Sequence, residues 1–208
     1  MDGLFINTLL NNPRSGAIWL AVVIFSICCH EFAHAATATL EGDDTAARTG
    51  HLTLNPLKQM GWISLLMLLF IGIAWGQVPV NPANLRRKSS RLLVSLAGVG
   101  MNLVLALLFL LVAALFYDSS ELLRQIGFIG GELNLALLFL NLLPVPPLDG
   151  FTACREIFPR LRRLDSTEFG RGAMLIMILF IFSFGGTWLF RASFTAAISI
   201  LNLMLSVV

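Results

Sequence analysis

Long apolar runs separated by short polar segments are the main pattern of this chain. Three of them occupy residues 17–40, 92–116 and 122–143, and two more follow at 173–190 and 192–208. Because a helix of roughly 20 residues crosses a hydrocarbon core of about 30 Å, each run is close to the length of one membrane span. In lipid the backbone hydrogen bonds must be satisfied internally, which helices achieve within a single segment. The pattern therefore predicts an all-α polytopic membrane protein with about five to six transmembrane helices.

The run at residues 61–75 is apolar but shorter than the others. At about 15 residues it falls short of a full crossing. Glycines bracket it and prolines follow it, at Gly61, Gly72, Gly76, Pro79 and Pro82. We therefore expect a re-entrant or interfacial segment near residues 61–82 instead of a further span.

The boundary between the last two runs has two alternative positions. Arg191 is the charged residue between them, whereas the Gly185-Gly186 pair is the stronger turn signal. A break at the glycines would give a short helix followed by a longer one.

The composition supports lipid as the main solvent of this chain. Of its 208 residues, 57% are hydrophobic and only 12% are charged, whereas soluble proteins carry about 25% charged residues. The net charge is +2 and no basic stripe alternates with aromatic residues, so we expect no nucleic-acid partner. The expected surroundings are a lipid bilayer.

The basic residues are concentrated in two connecting segments, 76–91 and 150–171. They are Arg86, Arg87, Lys88 and Arg91 in the first, and Arg155, Arg160, Arg162, Arg163 and Arg171 in the second. Because cytoplasmic loops carry an excess of lysine and arginine, both segments are expected on the cytoplasmic side.

Residues 30–34 read His-Glu-Phe-Ala-His and lie inside the first apolar run. Side chains four residues apart share one helix face, so His30 and His34 can reach the same zinc ion. Glu31 is placed to act as the general base that takes a proton from the attacking water. The alternative is a pair of core histidines that flank a glutamate by chance. Ionisable groups within a span cost roughly 2.5–3.5 kcal/mol each, and a metal site offsets that cost.

A third zinc ligand is expected elsewhere, because a catalytic zinc usually has three protein ligands and one open position. Asp149 is the best candidate, in a proline-rich segment that closes the run 122–143. The prolines force an extended path, and Gly150 allows a sharp turn behind the carboxylate. The alternative is a solvated aspartate in a loop that ends the helix. That alternative would be favoured for Asp149 alone, and the histidine motif reverses the preference.

The chain resembles the site-2 protease family of membrane-embedded zinc peptidases. The marks of that family are H-E-x-x-H and N-x-x-P-x-x-x-L-D-G, and both are complete here at residues 30–34 and 141–150. The segments 42–56 and 79–82 resemble those of small bacterial members. So does Ala97-Gly98 with Asn102, although Val99 stands where the family often has proline. The resemblance covers roughly residues 17–158, and the last two runs match only in hydrophobicity.

The resemblance implies a role for each residue of the two motifs. His30, His34 and Asp149 would hold one zinc ion, and Glu31 would be the catalytic base. Asn141 would hold the substrate strand or the oxyanion, with an interhelical hydrogen bond as the alternative. Asn102 has the same two alternatives, and His51 is expected to be a loop histidine.

The resemblance also implies one membrane-embedded protease domain over residues 1–208, in the compact bacterial form without a PDZ or nucleotide-sensing domain. Its catalytic core would cover about 17–158, with C-terminal helices at about 172–208. A prokaryotic plasma membrane is the expected location. The chain carries no signal for its oligomeric state.

The metal site constrains the topology. Asp149 follows the end of a helix that leads into a basic, cytoplasmic segment, and His30 and His34 lie in the second half of residues 17–40. For these residues to meet at one depth, the two helices must run in the same direction. Residues 61–75 must then dip into the membrane and return, which leaves the N-terminus outside.

These expectations predict hydrolysis of a peptide bond in or near a transmembrane segment of another protein. The alternative function is a metal-binding membrane protein without protease activity, such as a transporter or a scaffold. Transport needs no glutamate base beside the ligands, and no second acidic or histidine cluster lines the other runs.

Overall fold

The computed structural model describes residues 5–87, 89–158, 161 and 186–207. Every regular element in this part of the chain is helical, as predicted. The helices are α1 (Phe5–Asn11), α2 (Pro13–Leu40), α3 (Thr45–Arg48), α4 (Pro56–Gln59), α5 (Gly61–Ile71), α6 (Ser90–Leu115), α7 (Glu121–Leu142), α8 (Asp149–Ile157) and α9 (Gly186–Leu205).

Four helices of the described part are long and apolar enough to cross a membrane, namely α2, α6, α7 and α9. The outer surface of α6 shows why water cannot be its solvent. Leu103, Val104, Leu107, Leu108 and Leu111 are all exposed on it. An apolar surface of this size on a helix is typical of contact with lipid.

The last described helix excludes one of the two boundaries that the sequence left open. Phe190, Arg191 and Ala192 all lie inside α9 (Gly186–Leu205), so a helix end at Arg191 is wrong. The alternative with the break at the glycines stays a prediction, because Gly185 and the residues just before it lie outside the described residues. Most of the predicted span 173–190 lies outside the described residues.

Small residues and leucines join the long helices into one bundle. Gly127 of α7 lies so close to α6 that a β-carbon there would come within 2.5 Å of Ala113 N. Leu110 and Leu135 join α9 residues Ala197 and Leu201 in a buried cluster on this side of α7. Close backbone approach of this kind is how membrane helices gain van der Waals contact, since lipid already solvates their leucines.

Hydrogen bonds between the helices establish their directions. Ser15 of α2 accepts from Gln125 of α7, and Ser26, further along α2, accepts from Asn134. Residue numbers increase in the same direction along both helices, so α2 and α7 run parallel, as the metal site required. The partner of His34 in α6 is Val94, whereas that of His30 is Asn102, so α6 runs in the opposite direction.

The segment 61–80 enters and leaves the bundle at the same end. Helix α5 has 11 residues, about 16 Å at 1.5 Å per residue, and it ends at Gly72 with a left-handed φ of 83°. The returning chain is extended and is bonded back to its own beginning. Ser64 Oγ donates to Trp75 O at 2.7 Å, and Gln77 N donates to Gln59 O at 2.9 Å. This hairpin agrees with the re-entrant alternative of the prediction.

The segment after α7 differs from the prediction in one detail. Leu143 is extended before the prolines, as expected, but Asp149 begins the helix α8 (Asp149–Ile157), which the sequence treated as part of a connecting segment. The expected turn at Gly150 is wrong, because the positive-φ glycines of the described residues do not include it. Gly150 is required for space: a β-carbon there would come within 2.7 Å of Leu143 O.

Candidate metal centre

Two helices, α2 and α8, bring three donor atoms together. His30 Nε2 lies 3.0 Å from His34 Nε2 and 3.0 Å from Asp149 Oδ2, and the distance from His34 Nε2 to Asp149 Oδ2 is 3.2 Å. Four-coordinate zinc with ligands at about 2.0–2.1 Å separates its donors by about 3.3 Å. The three atoms therefore have the chemistry and nearly the spacing of one face of a tetrahedral zinc site.

Hydrogen bonds on the far side of each imidazole turn its Nε2 lone pair towards the cluster. His34 Nδ1 donates to Val94 O at 2.6 Å, and His30 Nδ1 donates to Asn102 Oδ1 at 2.5 Å. Because one proton of each neutral ring is used in this way, Nε2 is an acceptor in both rings. Three acceptors then converge with a carboxylate among them, an arrangement that a cation stabilises.

Asp149 supplies the negative charge of the cluster. Its side chain is only 20% exposed. Burial raises the pKa of Asp149, but hydrogen bonds and positive charge from His30 and His34 in their protonated form outweigh that effect and lower the pKa to about 2. With neutral imidazoles a bound cation would supply the positive charge instead, and a carboxylate binds a metal in its ionised form.

Glu31 faces the same space from a different side. It is 9% exposed and lies against the extended return of the hairpin, where a β-carbon on Gly76 would be 2.5 Å from Glu31 Oε1. The donor group of three residues does not include Glu31. This separation fits a base better than a fourth ligand.

The cluster lines a cavity of about 730 Å³. One wall is the extended chain from Ile73 to Val80, and the opposite wall includes Leu137, Leu140 and Asn141 of α7. A volume of this size accommodates several residues of a peptide. Because most of the lining side chains are apolar, the cavity suits a hydrophobic segment.

The structure separates the two asparagines that the sequence considered together. Asn141 lines the cavity and donates a hydrogen bond to Leu137 O. Both residues lie in α7, so this bond is not the interhelical hydrogen bond that the sequence offered as the alternative. Asn102 is fully buried and bonds to His30 and Asn134, which is the interhelical alternative. His51 lies in a loop and bonds to Thr49, outside the cluster.

Two contributors were missed by sequence reasoning. Asn134 is fully buried in α7 and holds Asn102; a polar residue inside an apolar run was its only signal. Gly98 of α6 lies against both imidazoles, where a β-carbon would be 2.5 Å from His30 Nε2. The sequence marked Gly98 only through the family resemblance.

Comparison with known proteins identifies the family to which this site belongs. The protein named "Putative zinc metalloprotease YwhC" of Bacillus subtilis is 35% identical over 192 residues, which are 86% of this chain and 88% of that protein. The family model described as Peptidase family M50 matches residues 118–184. This chain belongs to that family. "Putative zinc metalloprotease Rip2" of Mycolicibacterium smegmatis is 36% identical over 179 residues, or 81% of this chain and 68% of that protein. No solved structure matches the chain.

Membership of family M50 agrees with the chemistry of the cluster and with the apolar helices. The resemblance to site-2 proteases drawn from the two motifs is confirmed. The chain is a zinc-dependent metalloprotease, and His30, His34 and Asp149 form a group that could hold one metal ion. Its membrane-spanning helices make this family M50 member an integral membrane protein.

Proposed function

We propose that this protease hydrolyses a peptide bond within, or at the edge of, a transmembrane segment of another membrane protein. One observation carries the proposal: the candidate metal cluster opens into a cavity walled by helices long enough to span the membrane. A substrate that reaches His30 must pass between apolar surfaces, which favour a hydrophobic segment. Residues 1–208 would act as one protease domain, with a core at about 17–158 and the C-terminal helices after it.

In this proposal His30, His34 and Asp149 hold the zinc ion, and Glu31 is the general base. Bound zinc supplies a Lewis acid that polarises the scissile carbonyl and lowers the pKa of the attacking water. The Glu31 carboxylate takes the proton of that water and passes it to the nitrogen of the leaving amine. The second amide hydrogen of Asn141 Nδ2 can donate to the carbonyl oxygen as negative charge develops on it.

The substrate would bind as an added strand along the extended chain at residues 73–80. A transmembrane helix hides its carbonyls in hydrogen bonds, so it must unwind before cleavage. Trp75 N and Gln77 N already donate to the protein. In the described part of the chain, the alternate residues Gly76 and Val78 donate no backbone hydrogen bond. Open backbone groups along a strand edge are what strand addition uses.

The active site would open towards the cytoplasmic side of a prokaryotic plasma membrane. The support is the position of the arginines. Arg86, Arg87 and Arg91 follow the hairpin, and Arg155 lies in α8, all at the end of the bundle that contains the cluster. Arginine-rich segments stay on the cytoplasmic side.

The test compares purified wild-type protein with Glu31→Gln and Asp149→Ala, each incubated with a model transmembrane substrate. We expect one zinc per chain in the wild type and in Glu31→Gln, loss of zinc in Asp149→Ala, and no cleavage by either variant. Cleavage by Glu31→Gln, or full zinc content in Asp149→Ala, would overturn the assigned roles.

The strand-addition step has its own test. Val78→Pro removes the open N–H, and proline suits an extended chain, so cleavage should fall while zinc content is retained. Val78→Ala trims the same side chain but keeps the N–H, and should cleave nearly as well as wild type. Equal loss in both variants would attribute the effect to the side chain and refute strand pairing at this residue.

A further inference from the structure

A chain of buried amides leads from His30 to the backbone of α7. Asn102 Oδ1 accepts from His30 Nδ1, and Asn102 Nδ2 donates to Asn134 Oδ1 at 3.0 Å. Asn134 Nδ2 in turn donates to Ser26 Oγ and to Gly130 O, both at 2.8 Å. Asn102, Asn134 and Ser26 are all 0% exposed, so water cannot replace any of these bonds.

The polarity of this chain is fixed at its far end. Gly130 O is a backbone carbonyl, which can only accept, so the atom of Asn134 that faces it must be the nitrogen. Asn134 Oδ1 must then face Asn102, which has to present its own nitrogen. The remaining Asn102 oxygen faces His30, and the proton between them must come from His30 Nδ1. Each step follows because an acceptor opposite an acceptor would leave both unsatisfied.

We propose that Asn134 and Asn102 are positioning residues for the metal site. The carbonyl of Gly130 orients Asn134, Asn134 orients Asn102, and Asn102 in turn fixes the tautomer and the ring orientation of His30. With Nδ1 protonated, His30 presents an Nε2 lone pair to the metal. His34 achieves the same result directly, through Val94 O. The inference rests on the proposed function only in taking His30 as a ligand, and it adds two residues from helices α6 and α7 that touch no metal.

Zinc affinity, measured by competition with a chelator, provides the test, together with the absorption spectrum of the cobalt-substituted protein. Asn102→Leu removes the acceptor of His30 and should weaken zinc binding by about 10–100-fold, with an altered cobalt spectrum. Asn102→Asp keeps an oxygen opposite His30 Nδ1 but turns its second oxygen towards Asn134 Oδ1, so it should recover only part of that loss. Asn134→Leu leaves Asn102 in place but removes what orients it, so we expect a smaller loss in the same direction.

Two further variants separate this inference from the roles proposed above. Asn141→Leu makes the same substitution in the same helix as Asn134→Leu, but Asn141 bonds to Leu137 O and not to Asn102, so zinc affinity should be unchanged. His30→Ala should lose zinc; if it binds zinc as wild type does, the ligand assignment itself fails. If His30→Ala loses zinc while Asn102→Leu and Asn134→Leu match wild type in affinity and cobalt spectrum, only the positioning role is refuted.

Discussion

At the scale of single residues, the space around the cluster depends on a glycine. Gly98 of α6 faces His30 and His34 so closely that a methyl group would overlap both imidazoles. Gly98→Ala should therefore displace the rings and reduce zinc binding severely, because a helix backbone cannot retreat from its neighbours in a packed bundle. Zinc content after purification measures the effect.

The control for this prediction lies two residues away in the same helix. Gly100 is exposed and has no atom within 4 Å of the position of an added β-carbon. Gly100→Ala should keep zinc and stabilise the helix by roughly 0.5–1 kcal/mol, the usual gain of alanine over glycine. If both variants kept zinc equally, the contact between Gly98 and the imidazoles would be irrelevant to metal binding.

Gly76 has the corresponding position opposite Glu31. A β-carbon there would be 2.5 Å from Glu31 Oε1 and closer still to its Cγ. Gly76→Ala should lower cleavage of a model substrate strongly, since it moves the proposed base, while zinc stays bound because Glu31 is outside the donor group. Loss of zinc in Gly76→Ala would mean that the hairpin also supports the cluster.

The sequence was informative at this scale wherever a short spacing carried the chemistry. His30 and His34 are one helical turn apart, so their meeting follows from helix geometry alone. Gly98 and Asn134 act across helices, and nothing in their local sequence specifies which side chain they meet. The same holds for Gly150, whose predicted turn was wrong because its constraint comes from the carbonyl groups of Leu142 and Leu143.

At the scale of elements, a buried aspartate ties the end of α2 to the end of the hairpin. Asp43 Oδ2 accepts from Asn81 N at 2.6 Å, and Asp43 Oδ1 accepts from Asn84 Nδ2 at 3.0 Å and from Thr45 N at 3.1 Å. Asp43 is 0% exposed. Glu41 adds to the junction, since its carboxylate accepts from Ser90 Oγ at the start of α6. The extended wall of the cavity is therefore anchored at its far end.

Removal of the Asp43 carboxylate should destabilise the protein. Asp43→Ala removes the charged acceptor of Thr45 N, Asn81 N and Asn84 Nδ2, which should cost about 2–4 kcal/mol in the free energy of unfolding in detergent. Asp44→Ala is the matched control, because Asp44 pairs with Arg48 four residues away and its side chain is 55% exposed. Exposed pairs contribute at most about 1 kcal/mol. Equal losses at both positions would refute the anchoring role.

The same carboxylate should make stability depend on pH. Burial raises the pKa of Asp43, but hydrogen bonds from Thr45, Asn84 and Asn81 outweigh it and lower the pKa. A carboxyl group whose pKa is lowered by folding contributes its full stabilisation at pH values above its unfolded-state pKa of about 3.9. That contribution is lost as the pH falls through the folded-state pKa. Unfolding measured from pH 6 down to well below the unfolded value of about 3.9 should show this loss in wild type and a smaller one in Asp43→Ala.

At the scale of the whole molecule, the directions of the helices follow from the requirement that His30, His34 and Asp149 meet at one depth. Helices α2 and α7 run together and α6 runs against them. The chain between α2 and α6 must therefore begin and end on one side, although it contains the apolar α5. Burial of α5 against α2 occurs at Leu68, which joins Val22 and Val23 in one cluster.

This topology predicts the accessibility of introduced cysteines. In a Cys154→Ser background, Lys58→Cys and Ala83→Cys should react with a membrane-impermeant thiol reagent from the same side, because the hairpin returns to its side of entry. Ser119→Cys, between α6 and α7, should react only from the other side. Opposite sides for the first two would show that residues 61–75 cross the membrane.

The sequence by itself determined the solvent of this protein, its all-helical class and the chemistry of its protease motifs. Runs of about 20 apolar residues satisfy their own backbone only as helices in lipid, and His30, Glu31 and His34 need no more than one helical turn to be placed together. These features are local, so they follow from the order of residues.

Only the tertiary structure decided which residues surround the cluster. Asn134 and Gly98 acquire their roles because α6 and α7 approach α2 at particular depths and rotations, which depend on side-chain packing along the whole bundle. The sequence marks Asn134 as a polar residue in an apolar helix, but its partners are 32 and 108 residues away in the chain. Contacts over such separations are set by packing, which no local pattern records.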